Sequence, residues 1–242
     1  MSYSSARQLA GLSGAGTLAM LATIAFAYQL PSTFFPYHGG PFYADWAALW
    51  VVYLAYSVVS LPFDIWAGFV VPCRHQRRCQ MLPVYLGHLF RGLLVQGMVM
   101  TVSALLLLQA GKAWGVWGAE AVFGLLLSAL FVMRPMVAGA LGGGADRALP
   151  GRYYALGGGW LLMGFLLCAW LPWCGVGTLF NLLETLLGCS LWSLAGLWIL
   201  GRFHQDAARA SMYLSWASFG LLSRAAPSVA GVPERWANPV GD

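Results

Sequence analysis

Five stretches of this chain carry no Asp, Glu, Lys or Arg, and they constrain its fold more than any other feature. They run from Arg7 to Asp45, Asp45 to Asp64, Arg91 to Lys112, Arg152 to Glu184 and Glu184 to Arg202. A helix needs about 20 apolar residues to cross the hydrocarbon core of a bilayer. Backbone inside the bilayer must hydrogen-bond to itself, so helices are the simplest structures that can span it. Each stretch therefore reads as most or all of a membrane crossing. Charged residues make up 9% of the chain and hydrophobic residues 60%, whereas soluble domains carry about 25% charged residues. The 242 residues leave no room for a soluble catalytic domain, which takes on the order of 100.

The expected fold class is all-α: a polytopic membrane helix bundle of about six transmembrane helices. Hydropathy and turn signals put them at about 12–35, 44–71, 84–110, 114–133, 155–174 and 178–201. Pro31, Pro62 and Pro172 lie within or near helix ends, where they kink or stop a helix. Glu120 makes the fourth helix the weakest. Residues 1–202 form the bundle and residues 203–242 a cytoplasmic tail. In that tail Met212, Tyr213, Trp216, Phe219 and Leu222 share a helical face between Arg209 and Arg224. Two readings fit this face equally: an interfacial amphipathic helix, or a segment docked on the bundle. The region around Pro227, Pro233 and Pro239 reads as extended or disordered. Arg7 precedes a long apolar stretch with no small-residue cleavage site, so the first helix is expected to be retained.

Charge gives the orientation. With six crossings, Arg7, the Arg74, Arg77 and Arg78 loop, Arg134, Arg147 and Arg152, and Arg202, Arg209, Arg224 and Arg235 all fall on one side. Lys112, the only lysine, falls on the other. The positive-inside rule makes the arginine side cytoplasmic, N-in and C-in, and the expected location is a bacterial cytoplasmic (inner) membrane. The net charge of +5 is thereby spent on topology, and no nucleic-acid partner is expected.

The exit of the second helix, Leu61-Pro62-Phe63-Asp64-Ile65-Trp66-Ala67-Gly68-Phe69-Val70, leads into a basic loop. Later come Arg134-Pro135-Met136-Val137-Ala138-Gly139-Ala140-Leu141 and Ala148-Leu149-Pro150. In order and approximate spacing, these resemble the N-terminal membrane region of the M48 family, the CAAX prenyl protease-type zinc metallopeptidases. The resemblance covers roughly residues 15–152. It implies a helical scaffold around an isoprenoid-like substrate. The departures are large. Peptidase chemistry of that type needs His-Glu-x-x-His on a helix to grip zinc. The four histidines, His38, His75, His88 and His204, contain no pair four apart. Val71-Pro72-Cys73 stands where the family has a Glu. The resemblance thus implies a scaffold without the peptidase.

Polar residues at membrane depth are the remaining site candidates. Glu184 lies in the sixth helix with Asn181 one turn before it, and an intramembrane carboxyl is a functional hypothesis by default. The bland alternative is polar packing between helices. Asp64 is expected to form a structural ion pair with Arg91 or Arg134, and His88 is the one histidine near a membrane segment that could ligate. Asp45 and Glu120 are expected to be solvated. Cys73, His75 and Cys79 are weak metal candidates: they match no closed-site spacing, and Arg74, Arg77 and Arg78 would repel a cation. No metal and no cofactor is expected. Trp46, Trp50, Trp114, Trp117, Trp170 and Trp173 read as an aromatic belt rather than a pigment surface. Cys168, Cys174 and Cys189 read as small apolar residues, and no required disulfide is expected. The glycine runs at 142–144 and 157–159 follow no strand and are no phosphate loops. Gly157 to Gly159 and Gly164 are expected to permit close helix packing.

The first functional expectation is a non-catalytic subunit or assembly partner of a membrane complex, in contact with lipids and partner proteins. The alternative is a membrane-embedded enzyme or binding protein for a lipid or isoprenoid-like molecule, in a chamber where Glu184, Asn181, Asp64 or His88 converge. A transporter is disfavoured because the two halves show no internal repeat.

Overall fold

The computed structural model describes residues 3–34, 42–75, 81–133, 136 and 149–218, and within these every regular element is helical. Arg77, Arg78, Cys79, Arg134, Arg147, Arg224, Arg235, Phe219 and Leu222 lie outside the described residues. Helix α1 spans Tyr3–Ala27, α2 Leu30–Phe34, α3 Phe42–Ile65 and α4 Val71–Arg74. A π-helical turn, Trp66–Val70, joins α3 to α4 without a break. It begins one turn after Pro62, whose missing N–H already weakens the α-helical ladder. Then come α5, Leu82–Val132; α6, Gly151–Ala169; α7, Leu179–Phe203; and α8, Gln205–Ser218.

Among the described residues, four helical segments are long and apolar enough to cross a membrane: Leu9–Ala27, Phe42–Arg74, Leu82–Val132 and Leu179–Phe203. The chain is therefore an all-helical protein with membrane-spanning character. The expected helix at 12–35 stops earlier than its hydropathy suggests. Gln29 takes a left-handed conformation (φ 50°) and breaks α1 from α2. The Gln29 carbonyl then accepts the Ser32 N–H at 3.1 Å and the Ser32 hydroxyl at 2.7 Å, which holds the break.

The expected helices at 84–110 and 114–133 are the two limbs of α5. Gly115 departs from helical geometry (φ 65°, ψ −157°). A Cβ on Gly118 would lie 3.1 Å from the Ala110 carbonyl. In a straight helix eight residues advance about 12 Å, so the chain folds back on itself here. Only glycine adopts this backbone without strain.

Contacts along the segments fix how they run. The Tyr53 hydroxyl donates to the Leu93 carbonyl and the Tyr85 hydroxyl to the Asp64 carbonyl. Lys112 meets Asp45. Helix α3 and the first limb of α5 are thus antiparallel. Phe131 packs on Tyr154 and Phe123 on Phe165, so the second limb runs against α6. At the end holding Asp45 and Lys112, Phe26 packs on Trp173 and Gly111 on Val176. At the other end, Tyr3 packs on His75.

Helices α6 and α7 pack directly against each other. Each carries Trp and Gly four residues apart, Trp160 with Gly164 and Trp192 with Gly196. The indoles stack at 4.6 Å with 19° between planes. Each indole lies over the partner helix's glycine: a Cβ on Gly164 would sit 2.1 Å from Trp192, and one on Gly196 2.3 Å from Trp160. The Trp160 indole N–H donates to the Trp192 carbonyl at 3.1 Å, and Trp192 returns the bond to Trp160 at 2.9 Å. Antiparallel helices with the same spacing make the arrangement reciprocal. The sharp turn at His204 then lays α8 over α5, α6 and α7, burying Ala207, Ala210, Ser211 and Leu214. A Cβ on Gly157 would lie 2.6 Å from the Ser211 backbone nitrogen, so the glycine is what admits α8.

Candidate functional site

Among the described residues an apolar cavity of about 540 Å³ has ligand-binding geometry. Its walls come from Ala25 of α1, Leu30 and Pro31 of α2, Leu49, Val51, Val52, Tyr53, Ala55 and Tyr56 of α3, Met100, Thr101 and Ala104 of α5, and Leu183, Leu186 and Leu187 of α7. Periodicity explains the lining. Leu49, Val52, Tyr53 and Tyr56 fall on one face of α3, and Thr101 and Ala104 on one face of α5. Ala25, Ala55 and Ala104 leave the space that larger residues would fill.

The polar atoms of the wall are largely engaged with the backbone. The Thr101 hydroxyl donates to the Gly97 carbonyl at 2.8 Å, and Tyr53 donates to Leu93. No charged side chain lines the cavity. Val51 is both a lining residue and 58% exposed, and Ala55 beside it is exposed, so the cavity opens sideways along α3.

The four polar candidates do not converge. Glu184 is 1% exposed, and neither carboxylate oxygen has a hydrogen-bond partner. It is close to the cavity in sequence, between lining residues Leu183 and Leu187, but does not itself line it. Its neighbour Thr185 fastens the loop that precedes α7, accepting from the Gly175 N–H at 3.0 Å and lying 2.8 Å from the Gly175 carbonyl. Gly175 needs its glycine for conformation (φ 150°). Asn181 is half-buried, and its N–H caps on Thr178.

Asp64 is buried at the opposite end of the bundle, where its carbonyl takes the Tyr85 hydroxyl at 3.0 Å. Residues 85 to 111 of α5 separate the two ends by roughly 40 Å of helix. His88 is exposed on α5. A chamber built from all four residues is therefore excluded by geometry. Arg91, one expected partner of Asp64, is exposed and makes no ion pair among the described residues.

Two further expectations need correction. Asp45 is not solvated: it is buried and pairs with Lys112 at 2.9 Å, because α3 and α5 bring the two ends together. Glu120 is only half-exposed, with one carboxylate oxygen buried. Contrary to the expectation of no disulfide, Cys73 is disulfide-bonded, its partner lying outside the described residues. That sulfur is thereby unavailable as a thiolate ligand. The His75 ring nitrogen Nδ1 lies 3.0 Å from the Val71 carbonyl. Among the described residues no group of three or more His, Cys, Asp or Glu could hold a metal ion. Cys168, Cys174 and Cys189 are free and buried. Burial pushes the Cys174 thiol, in the loop after α6, up to about 12.

The sequence pointed to charged residues and overlooked the cavity. Comparison with known proteins identifies no relative: no family model, no curated protein and no solved structure matches this chain.

Proposed function

We propose that this chain is an integral membrane protein that binds a lipid or isoprenoid-like molecule in the cavity between α1, α2, α3, α5 and α7, without catalysing a reaction on it. The cavity carries this reading. Its volume falls within the range of small-molecule sites, about 300–1,000 Å³, and its lining is apolar. The cavity opens sideways at Val51 and Ala55, so an apolar chain can enter it from the bilayer.

In this reading the chain crosses the membrane six times. The limbs of α5 on either side of Gly115 supply two crossings and α6 supplies another. Both termini then lie with the arginines on the cytoplasmic face of a bacterial inner membrane. The resemblance of residues 15–152 to CAAX prenyl protease-type membrane regions belongs to the same proposal, as a shared scaffold without the zinc chemistry.

A role as subunit or assembly partner is a second reading, favoured by a separate observation. Gly16 of α1 and Gly159 of α6 face outward and meet nothing within 4 Å of where a Cβ would stand. Small residues on a lipid-facing surface allow a partner helix to approach closely.

Purification in mild detergent, with mass spectrometry of both lipids and proteins, tests the two together. The binding reading expects a lipid at near-stoichiometric amount that is lost from Ala104→Phe. Partner proteins without such a lipid would overturn it and leave the subunit reading.

A further inference from the structure

The depth of the cavity's mouth narrows the guest, and this rests on the lipid-binding reading above. Asp45 and Asp64 bound the charge-free part of α3. About 29 Å of helix separates them, which matches a hydrocarbon core of about 30 Å. Ala55 lies about 15 Å along the helix from Asp45 and about 14 Å from Asp64, at the middle of that core. Val51 lies about 6 Å nearer Asp45. Both residues line the cavity and both are exposed. The mouth therefore faces the centre of the membrane rather than its head groups.

Along α5 the cavity is closed at both ends. Toward Lys112, Leu108 follows Ala104 by one turn, is fully buried and packs in one core cluster with Leu49. Toward Asp64, Gly97 precedes Thr101 by one turn and carries two rings: a Cβ there would lie 2.6 Å from Tyr53 and 2.7 Å from Trp50. The Tyr53 hydroxyl is held by the Leu93 carbonyl, so this floor is fixed. Among the described residues the way in is thus the flank of α3. A polar head carried through a mouth at that depth would lose its water and meet no charged partner in the lining. A hydrocarbon chain meets no such cost. In each leaflet the chains run from heads at the surface to ends at the midplane, so a mouth at mid-depth meets chain ends.

We infer that the cavity takes the distal end of a long lipid chain, which enters sideways at Val51 and Ala55 while its head stays at the membrane surface. The chain must cover about 15 Å, half the core, before any of it lies inside. The features recognised are therefore the chain end and the chain length, not the head group.

Monoacylglycerols carrying one photoreactive diazirine test this, with the purified full-length protein in phosphatidylcholine vesicles and cross-links mapped by peptide mass spectrometry. One probe has a stearoyl chain with the diazirine at its distal end, and a second has the same chain with the diazirine beside the carbonyl. A third has a decanoyl chain with the diazirine at its distal end, too short to reach the mouth and enter. The first is expected to label Met100, Ala104 or Leu186 at least tenfold more than either of the others. Ala104→Phe should cut that labelling at least tenfold. Ala55→Phe narrows the mouth from an exposed position, and it serves if Ala104→Phe does not fold. Equal or stronger labelling of these walls by the carbonyl-side or the decanoyl probe, lost from Ala104→Phe, would overturn the chain-end assignment while leaving the cavity reading intact. Labelling of these walls by none of the probes, or labelling unchanged in both variants, would overturn both.

Discussion

Between α6 and α7 two glycines each receive an indole from the facing helix, whereas α3 and α5 leave an open cavity between them and α7. Gly164 and Gly196 receive the indoles of Trp192 and Trp160, and the two N–H groups bond across to carbonyls. Ala25, Ala55 and Ala104 line a cavity of about 540 Å³ that stays open. Both regions are helices of ordinary membrane composition with small residues at helical spacing. The difference is whether a bulky side chain stands opposite at matching depth. Lipid tails are as apolar as leucine, so apolar burial alone drives no association between membrane helices, and such complementarity decides which faces close.

The sharpest way to break this comparison is to put a side chain at the indole-covered glycine. Gly164→Val sets a Cβ 2.1 Å from the Trp192 ring, which is held by its stack on Trp160 and its hydrogen bond to the Trp160 carbonyl. Overpacking of this kind costs about 3 kcal/mol or more. The expected result is a large loss of folded yield and of the denaturation midpoint in detergent. Near-wild-type stability would mean that the α6–α7 contact is loose.

The reciprocal hydrogen bonds come next in size. Trp160→Phe and Trp192→Phe keep an aromatic ring but remove one donor each. Each change should cost about 1 kcal/mol or less, in line with membrane hydrogen bonds. Because the rings stack on each other, the double variant should depart from the sum of the singles by at least about 0.5 kcal/mol. Strict additivity would mean that the indoles act separately.

Ala104→Phe probes the opposite region, and its expected effect on stability is smaller. A ring placed in an open cavity should leave the denaturation midpoint within about 1 kcal/mol of wild type, or raise it. A penalty like that of Gly164→Val would mean that the cavity side is packed as tightly as α6 against α7.

How legible this was from sequence differs between the two regions. Charge-free stretches gave the helices, because hydropathy over about 20 residues is a strong signal. The breaks at Gln29 and Gly115 depend on single backbone conformations that hydropathy does not register. Gly164 stood out as a packing glycine, since glycine in a membrane helix has few other uses. Its partner Trp192 did not, because pairing depends on helix register. Among the polar candidates, Glu184 is buried as its position implied. Its separation from Asp64 by the length of the bundle follows from the alternation of antiparallel helices, which loop charge already suggested. The cavity could not be read, since it is defined by what is missing from three helices at one depth.

The smallest effect concerns chemistry rather than stability, and it reports on the loop that joins the two regions. Cys174 lies between α6 and α7, next to the Gly175–Thr185 latch, and burial raises its thiol to about 12. An unperturbed thiol titrates near 8.5. The thiolate is the reactive form, so at pH 8 the folded protein holds almost none of it at this position. Alkylation by N-ethylmaleimide at Cys174, read by peptide mass spectrometry, should be at least tenfold slower in the folded protein than in the denatured chain. The rate should keep rising well above pH 9, where an ordinary thiol levels off. Thr185→Val removes the hydroxyl that holds the Gly175 backbone and should speed labelling several-fold while leaving the α6–α7 contact intact. Fast labelling of the wild type at pH 8 would show that the loop opens readily, and that the tight packing of α6 and α7 stops short of their connection.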